Sequence, residues 1–236
     1  LDTSNDSLDT FYRPHIVFEW NNNMAVEFEY SYNRQRLTAN DFSQLSQDIT
    51  LDDRVWEVRF EGEITGALQY ELEAQLGTNI NFEPAENSAP VEADRLSWEA
   101  NLTWRPISPL QIDFNYLYFN LDDQNGQGSI FTNTIARMHA NYQFTRSWSL
   151  RFISQLEDTD PNAELTSLER RRAWNTDMLV RYVVNPWTAL YLGYNNNESN
   201  FQLVDGEYGR ELVLTDGDLR NDGRQFFLKF SYLFQY

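Results

Sequence analysis

From residue 16 to residue 236 the apolar side chains fall on even numbers, in eleven separate stretches, without a break in the count. Ile16, Phe18 and Trp20 open the series. Met24, Val26, Phe28, Tyr30 and Tyr32 continue it, and Phe226, Leu228, Phe230, Tyr232, Phe234 and Tyr236 close it. The odd positions between them are mostly polar, as at Glu27, Glu29, Arg59, His139, Asn141 and Gln143. Successive side chains of a pleated strand point to opposite faces, so this alternation is the mark of β-strands with one apolar and one polar face. No even position within these stretches carries a charge. One face of each strand therefore meets a medium that rejects charge, and the other meets water.

Residues opposite each other in an antiparallel hairpin share a face, so parity survives a tight turn only when the turn holds an odd number of residues. Asn21 to Asn23, Ile64 to Gly66, Thr145 to Ser147 and Asn185 to Trp187 read as three-residue turns, and Arg105 to Pro109 as a five-residue turn. With Ile64 to Gly66 as the turn, Arg59 is expected opposite Glu71, and Glu57 opposite Glu73. Long polar loops alternate with these turns, at about 35–53, 77–94, 121–131, 157–171 and 196–224. Within the last, segments 201–204 and 210–214 are expected to pair as an extension of the final hairpin. Short turns at one end, long loops at the other and strands of about 9–11 residues predict an all-β fold, a transmembrane antiparallel up-and-down β-barrel. Its strands would occupy residues 14–236, with residues 1–13 a polar extracellular segment. Trp20, Trp104, Trp148 and Trp187 lie at short turns, and Trp56, Trp98 and Trp174 where strands leave long loops. Such placement suits amphipathic rings at two membrane–water interfaces. A soluble β-sandwich that buries its even face competes with this reading, but it would place tryptophan in mid-strand more often.

Composition narrows the classes further. The chain has no cysteine, which excludes a disulfide framework, a thiol nucleophile and a Cys-based metal site. Its net charge of −18 lacks the basic footprint that nucleic acid requires. Mean hydropathy is −0.61 and no apolar run is long enough for a membrane helix, so a spanning chain of this composition has to be a barrel. The sequence has no initiator Met and no signal peptide, and reads as a processed product or a piece of something longer. Eleven strands point the same way. Single-chain bacterial barrels have even strand numbers, so further strands, preceding Leu1 or from other chains, are expected to complete the wall.

The stretches HANYQFTRSWSLRFISQ (139–155), VNPWTALYLGYN (184–195) and NDGRQFFLKFSYLFQY (221–236) resemble one bacterial family. It is the family of outer-membrane β-barrels of unknown function that follow an N-terminal carbohydrate-binding, family-9-like domain. The similarity covers roughly residues 95–236. It implies the outer membrane of a Gram-negative bacterium, a longer parent with a periplasmic sugar-binding-like domain, and no catalytic residues to carry over. The alternating last strand, with Phe234 and Tyr236, resembles the sorting signal read by the barrel-assembly machinery.

The odd face carries the candidate functional residues. Its first six stretches contribute Glu19, Glu27, Glu29, Glu57, Glu61, Glu63, Glu71, Glu73, Glu99 and Asp113, against Arg59 alone. The later stretches contribute Arg137, His139, Arg151, Arg181 and Lys229, against Glu157 and Asp177. An acidic wall facing a basic wall across a watery lumen would set up a transverse field that selects polar solutes, or would interlock and plug a narrow lumen. Three functions follow: a transport barrel for a polar solute, which the resemblance alone suggests is saccharide-derived; a scaffold that anchors a periplasmic domain or docks a partner through its loops; and an enzyme, for which the residues offer no constellation. His15 and His139 lack a serine or carboxylate at a telling spacing. The glycine-rich run from Gln124 to Gly128 lacks the Lys-Ser/Thr of a phosphate loop. The Thr215 to Asp218 run, with Asn221 and Asp222, has calcium-loop composition, but Phe227 stands where an EF-hand needs its glutamate. The residues thus indicate no cofactor and no metal, and the expected partners are outer-membrane lipid, lipopolysaccharide and the assembly machinery.

Parity yields a direct test. Leu192→Arg or Phe230→Arg puts a charge into the apolar face and should cost roughly 2–4 kcal/mol of folding stability in bilayers. The same change at Tyr191 or Ser231, one residue away, should be far milder. Equal losses at both parities would contradict the assignment of faces.

Overall fold

The computed structural model describes residues 9–21, 23–40, 42, 44–206 and 209–233. Fourteen strands follow in chain order: β1 (Asp9–Tyr12), β2 (His15–Trp20), β3 (Met24–Leu37), β4 (Ile49–Ile64), β5 (Leu68–Asn81), β6 (Val91–Ile107) and β7 (Leu110–Asp123). Then come β8 (Ser129–Gln143), β9 (Trp148–Pro161), β10 (Arg171–Asn185), β11 (Thr188–Ser199), β12 (Phe201–Gly206), β13 (Gly209–Leu214) and β14 (Arg220–Tyr232). Both β1 and β2 pair with β3, and Arg13 and Pro14 interrupt what is otherwise one strand. From β3 each strand pairs antiparallel with the next as far as β11, which pairs with β14. Strands β12 and β13 pair with each other as expected, but as a separate two-stranded sheet rather than as an extension of the β11–β14 hairpin. With β1 and β2 taken as one strand, the main sheet has the eleven strands expected. It is the all-β, up-and-down antiparallel arrangement of a transmembrane β-barrel wall. Among the described residues β14 does not pair back to β1 or β2.

The connections keep parity but not always the expected register. Trp20 opposes Met24, as three intervening residues require, and the β8–β9 register continues to a three-residue turn at 145–147. At the β4–β5 turn, Ile64 opposes Leu68, so the turn is Thr65 to Ala67. Thr65 and Gly66 there take φ of 59° and 66°, left-handed values that a glycine adopts without strain. The turn thus sits one residue later than expected and the register moves by two. Arg59 opposes Glu73, Glu57 opposes Gln75, and Glu61 opposes Glu71. At β6–β7 the expected five-residue turn is replaced by the pair Ser108 and Pro109 between Ile107 and Leu110, with a register shift before Trp104 meets Ile112. Pro186 and Trp187 likewise form a two-residue turn, with the shift between Val183 and Asn185. A bulge adds the odd residue that a two-residue turn lacks, which is why the faces stay in step.

The strands are longer than expected, mostly 12–17 residues, because they continue into the segments read as long loops. Pairing also begins at Asp9, ahead of the boundary at residue 14. These extensions put charge on even positions, among them Arg34, Asp52, Arg54, Glu92, Asp94, Asp122, Asp158, Asp160, Arg172 and Glu198. All lie towards the long-loop ends of their strands, beyond the apolar band. Asp52 takes hydrogen bonds from Arg34 (2.8 Å) and Arg54 (2.7 Å), and chiefly the Arg34 bond holds its carboxyl well below the usual carboxylate range. Between this charged rim and the short turns, the even face is apolar and open. Phe60, Leu72, Leu76, Leu192, Leu228 and Phe230 are among its exposed side chains. All seven tryptophans are exposed too. Trp56 packs on Tyr30 at 4.7 Å and Trp148 on Tyr182 at 4.4 Å, forming cross-strand aromatic pairs at the two ends of the band.

Among the described residues a small buried hydrophobic cluster lies at the long-loop end. Ala93, Leu121 and Ile130 are buried against Phe119, Phe131 and Leu165. Leu165 belongs to the loop at 162–170, which clasps the loop at 82–90. Ala85 N–H donates to the Leu165 carbonyl (3.3 Å) and Ser167 N–H to the Glu83 carbonyl (3.1 Å).

Candidate functional site

Alternation places every charged residue of the candidate set on the odd face, and pairing brings the acidic members together. Arg59 is the hub. Its Nη2 donates to Glu57 (2.8 Å) and Glu73 (2.9 Å), its Nη1 to Glu27 (3.3 Å), and Glu71 lies 3.6 Å from its Nε. Gln75 donates a further bond to Glu57 at 2.9 Å. Glu29 and Glu57, both ionisable, are each only 7% exposed. Such burial is tolerable only with partners, and Arg13 supplies one by bonding Glu29. A second unexpected cation is Arg95, which bonds Gln75 and stands 5.2 Å from the Phe119 ring centroid. Arg59 is therefore not the sole arginine of the acidic half. Arg13 and Arg95 escaped notice because one lies just before the first alternating stretch and the other just after a segment read as loop.

Towards the short turns compensation thins, and Glu61 and Glu63 make no ion pair among the described residues. A cleft of about 450 Å³ there is lined by Glu61, Glu63, Glu71 and Asp113 with Asn101 and Asn115. Glu99 lies opposite Glu73 and accepts from Asn101 at 2.8 Å. The boundary of the acidic region is a cross-strand pair, Asp113 opposite His139, with 3.7 Å between carboxylate and Nδ1.

Past that boundary the sign changes. Arg137, Arg151 and Arg181 occupy β8, β9 and β10 on the same face, and none makes an ion pair among the described residues. Arg151 opposes Asn141, and Arg181 lies between Ser149 and Tyr191 of the two neighbouring strands. Lys229 follows on β14, 5.8 Å from the Tyr191 ring centroid. Of the two acidic members of this half, Asp177 accepts from Asn195 at 2.7 Å and Glu157 from Gln155 at 2.6 Å, rather than from an arginine.

The remaining candidates behave differently. His15 lies directly opposite Glu29, a carboxylate that linear spacing did not reveal, and donor atoms of His15, Glu27 and Glu29 fall within 4.8 Å of one another. This trio is the arrangement best able to hold a cation, but Arg13 already engages Glu29. The loop with calcium-like composition is turned to other partners. Arg172 donates towards the Gly217 carbonyl (3.5 Å), the Thr215 hydroxyl bonds the Asp218 carbonyl (2.6 Å), and Asp222 accepts from Ser199 (2.8 Å). Gln124 to Gly128 connects β7 to β8 as a surface turn. Phe234 and Tyr236 lie outside the described residues.

No protein-family model matches the chain, and no curated protein matches its sequence. Among solved structures, similarity reaches the NanC porin at 13% identity and a TM-score of 0.36, over 97% of this chain and 95% of that one. OmpT, an outer membrane protein of Vibrio cholerae, matches at 12% identity and a TM-score of 0.36, over 98% and 99%. A Pseudomonas aeruginosa FadL homologue matches at 10% and 0.38, over 94% of this chain and 65% of that one.

The Arg59 hub predicts a specific coupling. Arg59→Gln leaves Glu57 and Glu73, diagonal neighbours across β4 and β5, without the cation they share and should cost about 2 kcal/mol, less than the ~3–5 kcal/mol of a fully buried broken pair because the guanidinium keeps some water. Adding Glu73→Gln should recover part of that loss. Denaturant unfolding in detergent measures both, and additive losses would show that the two residues do not act together.

Proposed function

We propose that this chain forms the wall of an outer-membrane transport barrel for a polar solute, with its even face in lipid and its odd face lining the path. The observation that carries the reading is the division of one strand face into an acidic region around Arg59 and an unpaired basic region around Arg151 and Arg181. Charges kept apart in this way leave fields pointing into the water between them, whereas a plug would pair them across the lumen. The exposed apolar band between two aromatic rims supports a membrane setting, since a water-facing patch of this extent is unusual on a soluble monomer. A saccharide-derived solute rests on the family resemblance alone.

Closure follows from direction. Strands alternate along the sheet, so β1–β2 and β14 run the same way, and an antiparallel wall closes only through an odd number of added strands. Both edges are open to receive them. Ile16, Val17 and Phe18 on one side and Phe226, Leu228 and Phe230 on the other are exposed. The same edges suit the scaffold reading, in which a partner occupies them without creating a pore.

Single-channel recording in planar bilayers separates the two. A transport barrel gives discrete conductance, and Glu61→Gln with Glu63→Gln shifts its reversal potential in a salt gradient towards anion preference. Insertion without conductance would contradict transport and leave the scaffold.

A further inference from the structure

The basic half of the odd face encloses a cleft of about 420 Å³ at the short-turn end. Arg105, Arg151 and Arg181 line it, together with Gln111, Asn141 and Ser149. Arg105 donates to Gln111 at 3.1 Å and meets no carboxylate, and Arg151 and Arg181 have no ion pair among the described residues. That arrangement runs against the composition of the chain. Acidic residues outnumber basic ones 36 to 18, and elsewhere a single arginine, Arg59, gathers four carboxylates. Here three arginines line one cleft, and none of them makes an ion pair with a carboxylate among the described residues. Arg151 and Arg181 are also close neighbours, since Ser149, two residues along β9 from Arg151, is the residue directly opposite Arg181. Like charges so placed repel each other unless an anion lies between them. Amide and hydroxyl groups around them offer further donors, and the volume suits a small polar molecule rather than a single ion.

We propose that this cleft is an anion-binding subsite, which takes a small polar solute through a carboxylate or phosphate group held by Arg105, Arg151 and Arg181. Guanidinium groups match the planar, two-oxygen geometry of such anions and stay charged at every physiological pH. The acidic cleft lined by Glu61, Glu63 and Glu71 lies on the same face beyond Asp113 and His139 and repels the same group, which confines it to the basic half. The proposal rests on the reading of the odd face as the solute path and adds the chemical class of the solute.

Calorimetric titration of the full chain folded in zwitterionic detergent, at constant chloride, tests it with three probes: inorganic phosphate, glucuronate and glucose. Phosphate and glucuronate should bind and glucose should not. The double variant R151Q/R181Q should weaken both anions at least tenfold, while E61Q/E63Q should bind them at least as well as the unaltered chain. Equal binding of glucose and glucuronate, unchanged affinity in R151Q/R181Q, or no anion binding by the unaltered chain would each overturn the proposal. If R151Q/R181Q fails to fold, judged by heat-dependent gel mobility, R105Q takes its place with a smaller loss expected. The two readings fail separately: anion binding without bilayer conductance would keep the subsite and end the channel, whereas conductance without anion binding would do the reverse.

Discussion

A backbone N–H or C=O in hydrocarbon has no water to bond, so a chain crosses a membrane as strands only if each strand is paired on both sides. That demand organises the whole molecule. It makes neighbouring strands antiparallel and sequential, with short connections at one end, and it allows the even face to be apolar from β3 to β11 because each of these strands is paired on both sides. It also defines what is unfinished. The outer edges of β1–β2 and β14 carry unpaired backbone groups beside exposed Ile16, Phe18, Phe226 and Leu228, and no arrangement of the strands described satisfies them in antiparallel fashion.

The polar face follows from the same pleat. Once even positions are given to lipid, charges gather on odd ones, and pairing across strands decides which of them meet. Around Arg59 the outcome is dense compensation, with buried Glu29 and Glu57 tolerated because Arg13, Arg59 and Gln75 bond them. Around Arg151 and Arg181 compensation is withheld. Stability alone gives no reason for that asymmetry in a chain so rich in carboxylates, which is why function is sought there.

Much of this was legible in the sequence, and the exceptions have identifiable causes. Periodicity of two gave the alternation along each strand, the number of strands in the main sheet and the pairing of β12 with β13, because side-chain direction is a property of the strand itself. Register was less accessible. At Thr65 to Ala67 the turn lies one residue later than Gly66 suggested, and nothing in local composition distinguishes two registers that share the same parity. Strand ends were missed for a related reason. Asp52, Asp94 and Asp158 look like loop residues when charge on an even position is taken to end a strand, yet beyond the lipid a strand can carry charge on both faces. Arg13, Arg95 and the opposition of His15 to Glu29 lay hidden in those misread margins. The buried cluster of Ala93, Leu121 and Ile130 depends on a loop clasp between residues about eighty positions apart, a contact that no short-range pattern encodes.

The central claim is that each strand separates lipid from water with a period of two. Site-directed spin labelling tests it most directly, and the absence of cysteine allows one label at a time. Labels placed in turn from Leu150 to Leu156 in the reconstituted protein are exposed to oxygen, which concentrates in lipid, and to a water-soluble nickel chelate. The account predicts that positions 150, 152, 154 and 156 respond to oxygen and that 151, 153 and 155 respond to nickel, in strict alternation. Accessibility without a period of two, or with the two reagents interchanged, would contradict it.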